Sequence, residues 1–140
     1  VPQGTGAMWV FALPEAEPRE VPRPTRRDMP RRTVADCVYT ADQARQGEAL
    51  FRQECGLCHQ VENYTGGNFA VKWGGSTLGD IYQDISLAMP PSKAGQLTPA
   101  TYASIVAYFV SRSGHPAGST DLPGDVNALR NIEIVQPAAP

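Results

Sequence analysis

Five consecutive residues, Cys55-Gly56-Leu57-Cys58-His59, restrict this chain more than anything else in it. Two cysteines three positions apart, followed directly by histidine, form the C-x-x-C-H pattern through which a c-type haem is attached. Thiols at this separation add to the two vinyl groups of one porphyrin. The next residue then reaches the iron as a proximal imidazole. The pattern occurs once among 140 residues, so one covalent haem is expected. A fold that carries it must make room for a large planar group and let that group serve as part of the core.

Two other readings of the same residues fit less well. A C-x-x-C thiol–disulfide motif belongs after a strand in a βαβ unit. Here the motif closes a helical pattern, and no βαβ alternation surrounds it. A zinc site needs four ligands, and the remaining candidates are Cys37 and His115.

The length suits one ordinary domain, and a hydrophobic content of 41% supports a modest core. The longest apolar runs, Ala7–Leu13 and Ile105–Val110, fall well short of the ~20 residues of a membrane span. No cleavable leader pattern is visible and residue 1 is valine, which reads as a processed form. Haem attachment of this type takes place outside the cytoplasm, so a periplasmic or otherwise extracytoplasmic location is expected, with any membrane association made through a partner. Charge divides along the chain. Residues 1–36 carry six arginines against five acids, and the remainder carries six basic residues against nine acids. Basic charge is not gathered on a folded element, so nucleic-acid binding is not expected.

Prolines at 2, 14, 18, 22, 24 and 30 break periodicity in residues 1–36. Charge and proline alternate from Glu15 to Arg32, favouring an extended arm. Only Met8–Leu13 is too apolar for a solvated tail, and it suggests a short strand or an adhesive segment. A first helix opens at Thr40-Ala41-Asp42-Gln43, which has the pattern of a reciprocal capping box. It runs for about 15 residues into Cys55 on apolar positions three and four apart. Residues 60–75 read as turns around Asn63–Asn68 and Trp73-Gly74-Gly75. Ser76 is the expected cap of a second helix over Thr77–Ser86, with Leu78, Ile81, Tyr82 and Ile85 on one face. A loop over Leu87–Gly95 contains Met89-Pro90-Pro91. Thr98-Pro99 then opens a third helix that ends at Gly114. The tail offers one helical turn near Val126–Arg130 and a possible strand at Ile132–Ile134.

These features together resemble a class I (mitochondrial-type) monohaem cytochrome c over about residues 40–114. The matching elements are a helix ending in Cys55-x-x-Cys58-His59, a middle helix, a Met89-Pro90 loop and a last helix. The resemblance implies an all-α fold around one covalent haem c, here with long irregular N- and C-terminal extensions. Residues 1–36 form the arm, 37–115 the cytochrome domain, and 116–140 an extension that packs on the domain or on a partner. The family packs its first and last helices crosswise, which sets Gly47 and Phe51 opposite Ile105, Tyr108 or Phe109. The stretch Leu97–Ile134 is similar to bacterial periplasmic cytochrome modules associated with dehydrogenases. One departure stands out: the glycine-proline that usually follows the haem histidine is not recognisable in Gln60–Gly67. Some backbone carbonyl there is expected to accept the His59 Nδ1 hydrogen, because a ligating imidazole generally needs an outer partner.

The resemblance also implies a distal methionine. Met8 and Met29 lie in the arm, whereas Met89 follows His59 by 30 residues in a proline-stiffened loop. A His59/Met89 pair favours ferrous iron and raises the reduction potential. The plain alternative makes Met89 a core gap-filler. His115 is the rival ligand, or more simply an exposed, freely titrating side chain. Trp73 and Tyr82 are expected to line the haem pocket, against simple core packing; Tyr64 and Lys72 are weaker candidates. Cys37 reads as a buried small hydrophobe, or as a thiol that pairs with another chain.

These readings imply one-electron transfer rather than catalysis by this chain. The arm, at ~3.1 Å per residue over its proline-rich 18 residues, reaches on the order of 55 Å. That length suits a tether to a larger periplasmic redox complex, against a solvated leader. The alternatives are a freely diffusing shuttle, or a five-coordinate sensor or peroxidase-like protein if Met89 does not ligate.

Overall fold

The computed structural model describes residues 31–139. The adhesive segment Met8–Leu13, the methionines Met8 and Met29, and all of the arm before Arg31 lie outside the described residues.

The first helix, α1 (Ala41–Glu54), begins where the Thr40 hydroxyl accepts the Gln43 amide at 3.1 Å, with Asp42 in its first turn and Arg52 in its last. The expected reciprocal contact from Gln43 is absent. Its side-chain amide instead donates to the Leu122 carbonyl at 2.9 Å and accepts the Leu122 N–H at 2.8 Å. A buried backbone segment without a ladder partner must be satisfied somehow, and that demand outweighs a solvent-side cap.

Helix α2 (Gly67–Trp73), preceded by a 3-10 turn over Val61–Tyr64, occupies a stretch expected to be turns. Its glycines flank the helix rather than interrupt it, and Phe69, Ala70 and Trp73 bury one side. Helix α3 (Leu78–Ala88) is capped by Thr77, not Ser76. Thr77 and Asp80 form a full capping box, which places the reciprocal pair at α3 rather than at α1, where the sequence suggests it.

Helix α4 (Pro99–Arg112) starts with the Thr98 cap and N1 proline as expected, and Gly114 closes it at φ 87°. Every residue from Tyr102 to Val110 is buried, so α4 is enclosed on all sides rather than on one face. Helix α1 packs on it at Gly47. A Cβ there would fall 1.8 Å from the Ser104 carbonyl oxygen, so only glycine lets the two backbones come this close. One turn on, Phe51 lies against Tyr108 and Phe109, with ring centroids 6.0 and 5.7 Å away.

The tail wraps back onto this helical body. Leu122 is buried, the short α5 (Val126–Leu129) is capped by Asp125, and Leu129, Ile132 and Ile134 are buried. Strand β2 (Ile132–Glu133) pairs in parallel with β1 (Arg32–Thr33), Arg32 opposite Ile132. Ile134 also exchanges backbone hydrogen bonds with the entry to α3, through Ser76 at 2.9 Å and Gly75 at 3.2 Å. Residues 32–36, assigned from sequence to the arm, belong to this packed body, with Val34 fully buried.

Two side chains differ from expectation. His115 is buried rather than exposed, its ring beside Phe69 and its backbone carbonyl accepting the Tyr39 hydroxyl at 2.6 Å. Its Nε2 has no hydrogen-bond partner, and burial pushes its pKa below the ordinary histidine value. Cys37 is exposed rather than buried, at a left-handed backbone position of φ 53°. No helix among the described residues is long and apolar enough to cross a membrane.

Candidate haem site

The C-x-x-C-H run lies where α1 unwinds. The Cys55 and Gly56 amides both bond the Phe51 carbonyl at 2.8 Å, and the Cys58 and His59 amides return to the Cys55 carbonyl at 3.1 and 2.9 Å. This tight reversal carries no buried apolar side chain of its own, with Leu57 almost fully exposed. It leaves Cys55 half-buried, Cys58 exposed and His59 partly buried.

Cys55, His59 and Met89 line one cavity of about 210 Å³. Phe51, Ile85, Ala88, Ile105 and Phe109 make the lining largely apolar; Lys72 and Asp84 are its charged members. Three rings stack along one side. Tyr64 is 5.8 Å from Phe109 at 11° and 6.2 Å from Trp73 at 27°, and Trp73 is 6.3 Å from Phe109 at 17°. The Lys72 ammonium sits over Tyr64 and Trp73, 4.9 and 5.2 Å from their centroids, in cation–π range.

The two donors His59 and Met89 are each held. The Tyr64 hydroxyl lies 2.7 Å from His59 Nδ1. Met89 caps α3, its amide bonding the Ile85 carbonyl at 2.8 Å and its carbonyl accepting the Tyr102 hydroxyl at 2.9 Å. Beyond Met89, Lys93 reaches Glu54, the neighbour of Cys55, at 2.6 Å. This ion pair joins the methionine loop to the end of α1.

Of the residues singled out from sequence, Cys55, His59, Met89 and Trp73 share the cavity, together with Tyr64 and Lys72. Cys58 and Tyr82 are not among the lining side chains; Tyr82 is buried edge-on to Tyr102, 6.0 Å away. Sequence reasoning did not find Tyr64 as the partner of His59 or Tyr102 as the anchor of Met89. Tyr64 stands in a glycine-rich stretch with no period to orient it. Tyr102 looks like one more apolar-face residue of α4.

Burial, with Glu54 second, pushes the Cys55 thiol above its ordinary pKa. A thiol kept protonated is a poor nucleophile for disulfide exchange. Among the described residues no three His, Cys, Asp or Glu side chains gather as a metal cluster, so a four-ligand zinc site is not assembled there. The donors do fit a c-type haem: a thiol, an imidazole with Nδ1 already partnered, and a thioether, around an apolar, aromatic-walled space.

Comparison with curated proteins and with solved structures gave no match. Residues 42–109 match the family model described as Cytochrome C oxidase, cbb3-type, subunit III. That span runs from the first turn of α1 into α4 and contains every residue that lines the cavity. A cytochrome c domain implies a c-type haem and supports haem-mediated electron transfer, so the match supports a cytochrome c family for this chain.

Proposed function

We propose that the chain is a one-electron carrier of class I cytochrome c type, with one haem bound covalently through Cys55 and Cys58 and ligated by His59 and Met89. The observation that carries this reading is that Cys55 and His59 of the motif and Met89, 30 residues beyond His59, line one apolar cavity. A haem so bound supplies a reversible one-electron couple, and a His/Met donor pair sets that couple high. The chain's own residues do the rest. Phe51, Ile85, Ile105 and Phe109 keep water from the space. Tyr102 and the Glu54–Lys93 pair hold the methionine loop against the end of α1. Trp73 and Lys72 offer an N–H and an ammonium to carboxylates of the bound group. Two iron ligands from the protein leave no open position for a substrate, which favours a carrier over an enzyme.

The setting is a redox complex outside the cytoplasm. The matching family description names an oxidase subunit, and the proline- and arginine-rich residues 1–31 are the tether to the partner. Two experiments test this. Haem retained through denaturing electrophoresis should be lost in the double variant Cys55→Ser, Cys58→Ser; haem still retained would refute covalent attachment at this motif. Deleting residues 1–30 should free the cytochrome from its complex during mild-detergent purification while its spectrum stays intact; undiminished association would remove the tether.

A further inference from the structure

The contact between Tyr64 and His59 defines a role that the motif alone does not reveal. We infer that Tyr64 is the positioning residue of His59: its phenol oxygen accepts the Nδ1 hydrogen, fixes the tautomer with a bare Nε2, and lowers the potential of the iron. The inference rests on the reading of His59 as an axial ligand.

The donor direction follows from the chemistry of imidazole. A neutral ring that offers the Nε2 lone pair to a metal carries its hydrogen on Nδ1. The group 2.7 Å from Nδ1 must then accept, and that group is the Tyr64 hydroxyl. A ligating histidine needs such an outer acceptor to hold its plane and strengthen its donation. The sequence led to a backbone carbonyl for this task; the structure supplies a side chain.

The phenol is also fixed in place. Its ring is nearly parallel to Phe109 and close to parallel to Trp73, with the Lys72 ammonium above it. The next residue, Thr65, is pinned by its hydroxyl to the Val61 carbonyl at 3.0 Å, which closes the turn that carries Tyr64. The acceptor is therefore held before any ligand binds, and His59 meets it edge-on at 5.4 Å. A hydrogen bond from Nδ1 pushes electron density toward Nε2, which favours ferric iron. A neutral phenol accepts less strongly than a carboxylate, so it trims the high His/Met potential without cancelling it.

The test uses the haem-loaded full chain and Tyr64→Phe, which keeps the stacked ring and removes only the acceptor. Two quantities are read: the reduction potential, and the solvent exchange of the His59 Nδ1 hydrogen by proton NMR. Tyr64→Phe should favour ferrous iron about tenfold, a rise of ~59 mV, and should speed exchange of that hydrogen. Tyr39→Phe, whose phenol bonds the His115 carbonyl away from the cavity, should move neither. A potential shifted by less than about twofold, roughly 18 mV, with unchanged exchange, overturns the assignment of Tyr64 alone. A wild-type chain whose haem is not ligated by His59 overturns this inference and the proposed function together.

Discussion

The parts of the cavity lining that carry His59 and Met89 are held by different means. The His59 wall is built from helix packing: α1 rests on α4 at the Gly47–Ser104 contact, Phe51 fills the space one turn later, and the Tyr64 side chain bonds the imidazole itself. The Met89 wall is built from backbone anchoring. The methionine amide and carbonyl are tied to Ile85 and Tyr102, and nothing in those contacts touches the sulfur. The first arrangement positions a side chain and tunes it. The second positions a length of chain and leaves the thioether to find its target. Damage to the helix packing of the first wall should therefore appear as lost stability, damage to its Tyr64 contact as a shifted potential, and damage to the second wall as a lost ligand on a folded chain.

The largest expected effect lies on the second wall. Met89→Ala should abolish the sulfur-to-iron charge-transfer band and lower the potential by two powers of ten in ferrous preference or more, ~120 mV, while circular dichroism stays helical. An unchanged red spectrum would remove Met89 as a ligand. On the first wall, Gly47→Ala places a methyl group into the Ser104 backbone. It should cost at least about 2 kcal/mol by denaturant titration, more than the ~1 kcal/mol that alanine returns in helix propensity. A neutral or stabilising outcome would mean that α1 does not depend on this contact.

Smaller changes sharpen the contrast. Tyr102→Phe removes the hydroxyl on the Met89 carbonyl and should cost about 1 kcal/mol. Its distinctive sign is a charge-transfer band that disappears at lower temperature than the global melt. A band that vanishes only with the fold would show that the backbone anchor does not govern the ligand. The weakest effect is one of pH, at a residue outside both walls. His115 is buried and its pKa is lowered by that burial. The unfolded chain takes up a proton there near the ordinary histidine value of about 6.5, before the folded chain does. Stability is thus full above that pH and falls as the pH drops below it, by at most about 1.4 kcal/mol per unit. Melting temperatures from pH 7.5 to 5.5 measure the slope, and His115→Leu should flatten it; an equal slope in the variant would assign it elsewhere.

The helices with strong period and proper caps were legible. The spans of α1 and α4, the N1 proline and the closing Gly114 all follow from local rules that the tertiary structure does not override, whereas the crowding at Gly47 was implied by the family resemblance. The same rules fail where a neighbour distant in sequence decides. Gln43 has the pattern of a capping-box residue, but it serves Leu122 because that buried backbone has no other partner. Helix α2 was hidden because its flanking glycines read as turns, while Phe69 and Trp73 draw it onto the core. His115 reads as a free side chain beside proline and glycine, yet it is buried with its ring beside Phe69. At the site, Cys55, His59 and Met89 could be named from their chemistry. The tyrosines that hold two of them could not, because a phenol's partner depends on where two loops meet in space.

The most direct measurement is the addition of carbon monoxide to the ferrous, haem-loaded chain at neutral pH. With Met89 and His59 both on the iron, the spectrum should not change, and binding should appear only in Met89→Ala. A carbonyl spectrum in the unaltered chain would contradict the closed site and leave a five-coordinate haem that binds small ligands.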